Sequence, residues 1–111
     1  MAGDLENWKT QIRKGYLELC ILLLVQKHKR IYGLDLLEKL SAFDLVLKEG
    51  TLYPLLSRMT VDKILSATWE TENVKGHPRK YYFLTKDGLA HLLTMKHEFK
   101  TMVKVFEQLI D

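Results

Sequence analysis

The stretch Glu49-Gly50-Thr51-Leu52-Tyr53-Pro54-Leu55-Leu56-Ser57-Arg58-Met59 decides how the rest of the chain is read. Leu52, Leu55, Leu56 and Met59 recur at i, i+3, i+4 and i+7, so they share one face of a helix that opens at Gly50-Thr51. Pro54 falls in or near its first turn, where a missing N–H costs least. With the leucine face inward, Thr51, Pro54, Ser57 and Arg58 point outward and Tyr53 stands on the flank. Thr, Ser and Tyr hydroxyls are routine phosphate partners, and an arginine can reach guanine edges as well as phosphate.

Upstream, Leu34, Leu36, Leu37 and Leu40 fit a short amphipathic helix over Leu34 to Ser41, joined to the first stretch by Phe43 to Glu49. Before it, Trp8 to Gln26 reads as a longer helix whose second half is apolar nearly all round, the mark of a helix packed on several sides. Downstream the period drops to two. Leu65, Ala67 and Trp69 alternate with Ser66, Thr68 and Glu70, and after a loop over Thr71 to Pro78 the aromatic run Arg79-Lys80-Tyr81-Tyr82-Phe83-Leu84 forms the second arm of a hairpin. Thr85 then caps a last helix, with Asp87 in its first turn, that runs nearly to Asp111. The predicted fold is therefore mainly α with a small β-hairpin: a winged helix-turn-helix over residues 1–85 and a long C-terminal dimerisation helix over residues 86–111, in one compact domain. In that arrangement the second helix of the turn motif enters the major groove and the wing touches DNA backbone.

Composition bounds the function. The chain has 111 residues, 47% hydrophobic and 28% charged, the balance of a soluble globular domain with one core. Its net charge of +3 says little, but the clusters Lys27-His28-Lys29-Arg30 and Lys75-Gly76-His77-Pro78-Arg79-Lys80 both fall at expected turns. Cys20 lies in an apolar run and reads as a buried small hydrophobe. The apolar run Tyr16 to Val25 carries Glu18, lacks a cleavage site and is too short to cross a bilayer, so a cytoplasmic location is expected. His28, His77, His91 and His97 have no spacing for a shared metal, and no cofactor is implied. No phosphate-cradling loop, H-E-x-x-H or nucleophile with a base is present, which argues against an enzyme.

Three segments, Ile31-Tyr32-Gly33-Leu34-Asp35-Leu36, the stretch 49–59, and Gly76-His77-Pro78-Arg79-Lys80-Tyr81-Tyr82-Phe83-Leu84-Thr85, resemble in order the segments by which PadR-family transcriptional regulators are known. The resemblance covers nearly the whole chain and is to the short-tailed class. It implies a repressor that binds operator DNA as a two-fold dimer, the last helix of each subunit packing on the partner's N-terminal helix. It also implies release of DNA by small aromatic or drug-like compounds bound at the dimer interface, with Phe99 at the position of a relative's ligand-stacking tryptophan. The chain departs from the pattern twice. Lys63 stands where a glycine usually follows the recognition helix, so it must take a left-handed backbone at roughly 1 kcal/mol or the turn must differ. His77 replaces the usual wing arginine.

The expected DNA contacts are Tyr32, Thr51, Tyr53, Pro54, Ser57, Arg58, Lys75, His77, Arg79 and Lys80. Leu92, Phe99, Val103, Phe106 and Ile110 form a heptad-like stripe that a domain of this size could not cover alone, and so the expected dimer interface. Trp8, Met95, Phe99 and Met102 are the candidate effector pocket, with plain interface packing as the alternative reading of the same residues. A dimeric winged-helix protein-interaction module without DNA binding is the competing function.

Overall fold

An unbroken first helix, α1 (Ala2–His28), begins six residues before the apolar pattern does, because its opening turns are polar and exposed and carry no periodic signal. Lys27 and His28 in its last turn suit the negative end of the helix dipole, and Lys29 closes it with a left-handed φ of 66°. The structure is a computed structural model that describes residues 2–70 and 79–111. After α1 come β1 (Ile31–Tyr32), α2 (Gly33–Ala42), α3 (Glu49–Val61), β2 (Leu65–Glu70), β3 (Arg79–Leu84) and α4 (Lys86–Ile110).

The sheet has three antiparallel strands in the order β1-β3-β2, not the two of a plain hairpin. β1 is only two residues long, too short for any period to show, and it is defined by its partners: Ile31 opposite Tyr82 and Tyr32 opposite Tyr81. β2 and β3 pair from Leu65 with Leu84 to Glu70 with Arg79. The core-facing side of β2 grades outward along its length, from Leu65 at 1% exposed to Trp69 at 59%, since the wing leaves the body of the domain.

Leu17, Ile21, Leu22 and Val25 of α1 meet Leu36 and Leu40 of α2, Leu52, Leu56 and Met59 of α3, Leu65, Tyr82 and Leu92 in one buried cluster. At about 100° per residue Leu34 falls on the far side of α2 from this cluster, and it is exposed rather than inward as expected. Lys63 does take the left-handed region, φ 62°, with its N–H on the Thr60 carbonyl, so the turn keeps the shape a glycine would have given it. The next joint is tighter. Thr85 Oγ1 accepts the Gly88 N–H at 2.8 Å, and the Thr85 N–H bonds the Ile64 carbonyl at 3.1 Å. A Cβ on Gly88 would lie 1.9 Å from that carbonyl oxygen, so α4 can start here only on a glycine.

Leu92 is fully buried in the chain's own core. That corrects its place in the dimer stripe, because its face of α4 is already covered by the same subunit. From Lys100 onward every residue of α4 is exposed. The radius of gyration, 16.0 Å, exceeds the roughly 13 Å of a compact chain this long, since the last turns of α4 stand clear of the body. No helix among the described residues is long and apolar enough to cross a membrane.

Candidate nucleic-acid interface

α3 begins at Glu49 rather than at Gly50-Thr51, which puts Pro54 in its second turn. The Gly50 carbonyl therefore has no i+4 N–H to accept, and Pro54 departs from the first-turn position expected of it. Leu52, Leu56 and Met59 are fully buried and Leu55 half-buried, so Thr51, Pro54 and Ser57 form the exposed outer side of the helix.

Tyr53 stands on one flank with its ring against Gly33, the first residue of α2. A Cβ there would lie 2.7 Å from Tyr53 Cε1 and 3.0 Å from its hydroxyl, so the glycine makes room for the ring. Burial raises the Tyr53 phenol above its ordinary range and Glu49 adds to the effect, which keeps the hydroxyl protonated and able to donate. Tyr82 behind it is raised by burial and by Tyr53.

Arg58 stands on the other flank. Its Nη2 donates to Glu18 Oε1 of α1 at 2.7 Å. Arg58 thus leans toward α1 instead of projecting opposite the leucine face, a correction to its expected orientation. Its place, about 60° round from half-buried Leu55, explains the lean.

Between α2, α3 and the wing lies a cleft of about 680 Å³ lined by Tyr32, Gly33, Tyr53, Ser57, Trp69, Arg79 and Lys80, with Asp35 and Glu38 of α2 as its two acidic members among the described residues. The Arg79 guanidinium sits 3.9 Å from the Tyr32 ring centroid, and the Lys80 ammonium 5.4 Å from that of Trp69. Stacking of this kind orients a cation without cancelling its charge. Among the described residues no carboxylate lies within 4.0 Å of either. Arg30 stacks on Tyr81 at 4.9 Å, and Tyr81 meets Tyr32 edge-on at 5.8 Å, continuing the series along the sheet. Trp69 and Arg30 were missed from sequence: Trp69 read as an inward strand position, and Arg30 joins the series only through β1. Lys75 and His77 lie outside the described residues.

A second surface lies between α1 and α4. An apolar groove of about 640 Å³ between α1 and α4 is lined by Ile12, Tyr16, Leu19, Met95, Phe99, Met102 and Phe106 among others. Tyr16 stacks on Phe99 at 5.5 Å. Met95, Phe99 and Met102 are thus brought together, while Trp8 stands one turn beyond Ile12 on α1 and is not among the lining residues. Phe106, Leu109 and Ile110 extend the apolar surface at 61%, 79% and 65% exposed.

Residues 21–94 match the transcriptional regulator PadR-like family. Among solved structures, the chain is similar to a PadR-like transcription factor from Bacteroides fragilis, at 42% identity over 93% of this chain and 98% of that one, TM-score 0.78. It is also similar to a PadR-like transcriptional regulator from Bacillus cereus, at 33% identity over 91% and 97%, TM-score 0.80. A PadR family regulator from Clostridium difficile shares 31% identity over 86% and 99%, TM-score 0.78. No curated protein matches the chain significantly.

Proposed function

Because the chain belongs to the PadR-like family of transcriptional regulators and is a DNA-binding regulator, we propose that it is a cytoplasmic homodimeric repressor released from its operator by a small, flat, apolar effector. The observation that carries the DNA-binding mode is the continuous surface formed by the outer side of α3 and the cleft beside it. Thr51, Pro54 and Ser57 face outward on α3, and Tyr32, Tyr53, Arg79 and Lys80 border the cleft, the two cations without a carboxylate within 4.0 Å among the described residues although Asp35 and Glu38 line the same cleft. In this reading α3 lies in the major groove, Arg79 and Lys80 meet the flanking phosphates, and Tyr53 bridges the two with its hydroxyl.

The dimer rests on the α1/α4 surface, where Phe99, Val103, Phe106 and Ile110 are left partly or largely uncovered by their own subunit. An apolar surface of this extent on a small domain marks an interaction site. Residues 1–85 then serve as the DNA-binding unit and residues 86–111 as the dimerisation helix. Met95, Phe99 and Met102, with Tyr16 beside them, offer thioethers and rings suited to a planar guest within the same groove.

The test begins with selection of duplexes from a randomised pool by the full-length protein, followed by sedimentation of protein alone and with the selected duplex. A DNA-binding dimer enriches a two-fold symmetric site and sediments as two subunits. Phe106→Lys should shift it to monomer and abolish tight binding. Planar dyes should then release the duplex from the wild-type dimer and fail to release it from a Phe99→Ala dimer. A protein that enriches no sequence and shows no low-salt affinity for random DNA is the interaction module instead.

A further inference from the structure

Among the described residues, the ion pair between Arg58 and Glu18 is the one that joins two different elements; the other, Lys9 with Glu6, lies within a single helix. We infer that Glu18 is a positioning residue for DNA recognition: through Arg58 it fixes the angle of α3 on α1, and with it the half-site spacing that the dimer accepts. This rests on the reading of the chain as a dimer that binds DNA through α3 and pairs through α1 and α4.

The fully buried contacts of α3 with the body are made by Leu52, Leu56 and Met59, which are apolar, with Leu55 and Tyr53 packed at their edge. Such packing holds a helix against its neighbour but sets its rotation only through shape. A directed bond at 2.7 Å supplies what the leucines lack. It is half shielded, with the Glu18 side chain 25% exposed and that of Arg58 57% exposed. The contact is made through one guanidinium nitrogen to one carboxylate oxygen, and it ties α3 to α1 on a flank that its packing on α2 and β2 leaves open. Glu18 lies two residues beyond Tyr16, whose ring stacks on Phe99 in the α1/α4 groove. The same short segment of α1 therefore touches both the dimer surface and the reading helix.

The lever is sensitive. Recognition helices of a dimer sit about 34–36 Å apart, so each lies about 17 Å from the two-fold axis. One base-pair step is about 3.4 Å, or about 1.7 Å per subunit, so a displacement of α3 by that amount changes the spacing that fits. Loss of the pair should therefore be felt as tolerance of wrong spacings rather than as loss of base preference.

The test uses the duplex selected by the wild-type protein, its derivatives with one base pair added or removed between half-sites, and a single half-site duplex. Glu18→Gln and Arg58→Gln should each weaken binding at the selected spacing by about two- to fivefold, the range of a partly exposed pair. They should flatten the preference for that spacing and change half-site binding less than twofold. The exchanged pair Glu18→Arg with Arg58→Glu should restore both affinity and spacing preference. If the exchange fails while Arg58→Gln alone weakens the half-site and Glu18→Gln does nothing, Arg58 touches DNA directly and the inference is overturned. An unchanged spacing preference in Glu18→Gln overturns it as well. Failure of the wild-type protein to select any duplex overturns the DNA-binding reading itself.

Discussion

Gly33→Ala should separate DNA affinity from fold stability, because the atom it adds meets a functional ring rather than backbone. The new Cβ would lie 2.7 Å from Tyr53 Cε1, 3.0 Å from the hydroxyl oxygen and 3.2 Å from Cζ. Comfortable carbon contacts are about 3.5–4.0 Å, so the ring must withdraw by about 1 Å. Tyr53 is half-buried and its ring borders an open cleft, so it has somewhere to go. Two terms then oppose each other in stability. Alanine at a backbone conformation it can adopt is worth about 0.4–1 kcal/mol over glycine, through the lower entropy of the unfolded chain, and the displaced ring gives up contacts of about the same size. The melting temperature should stay within about 4 °C of wild type. DNA binding has no such offset. A hydroxyl moved by about 1 Å loses its phosphate, a hydrogen bond worth about 1–1.5 kcal/mol, or about five- to tenfold in affinity per half-site. Fluorescence anisotropy on a selected half-site duplex, beside thermal melts, measures both. Tyr53→Phe should show a similar loss, and Gly33→Ala added to it should cost little more, since both act through the same oxygen. Unchanged affinity in Gly33→Ala, or losses that simply add in the double variant, would refute the reasoning.

Three other outcomes are expected. Arg79→Ala with Lys80→Ala should lower the slope of log affinity against log salt by up to about 1.8 per subunit, on operator and random duplex alike, as binding titrations across salt will show. Gly88→Ala must push α4 off the Ile64 carbonyl, where the added carbon would stand at 1.9 Å, and should cost about 3 kcal/mol or more in denaturant unfolding. Burial raises the phenols of Tyr53 and Tyr82, with Glu49 and Tyr53 respectively adding to it. The folded state therefore holds these protons more tightly than the unfolded chain, so stability is full below the ordinary value of 10.0 and falls as pH rises past it. Denaturation midpoints taken from pH 8 to 11 should show the decline, less steeply in Tyr82→Phe.

The element order was legible because most elements carry a period of their own. Leu52, Leu56 and Met59 marked α3, Arg79 to Leu84 marked β3 to the residue, and Thr85 marked the start of α4. The left-handed turn at Lys63 could be foreseen from where a glycine was missing. β1 could not, since two residues hold no period and its existence depends on Tyr81 and Tyr82 arriving opposite. The early start of α1 was equally silent, its first turns being polar and exposed.

For the site, local pattern separated inward from outward residues, and that was enough to place Thr51, Pro54 and Ser57 on the exposed side and Tyr53 on the flank. It could not say what stands beside a flanking residue. Arg58 met Glu18 across 40 positions of sequence, Phe99 met Tyr16 instead of Trp8, and Leu92 went to the chain's own core. Helical and strand periods are short-range properties of a chain, so the sequence by itself determined the elements that carry a period, their order and the family. Which side chain neutralises, stacks on or covers another depends on how those elements cross, and only the tertiary structure decided that.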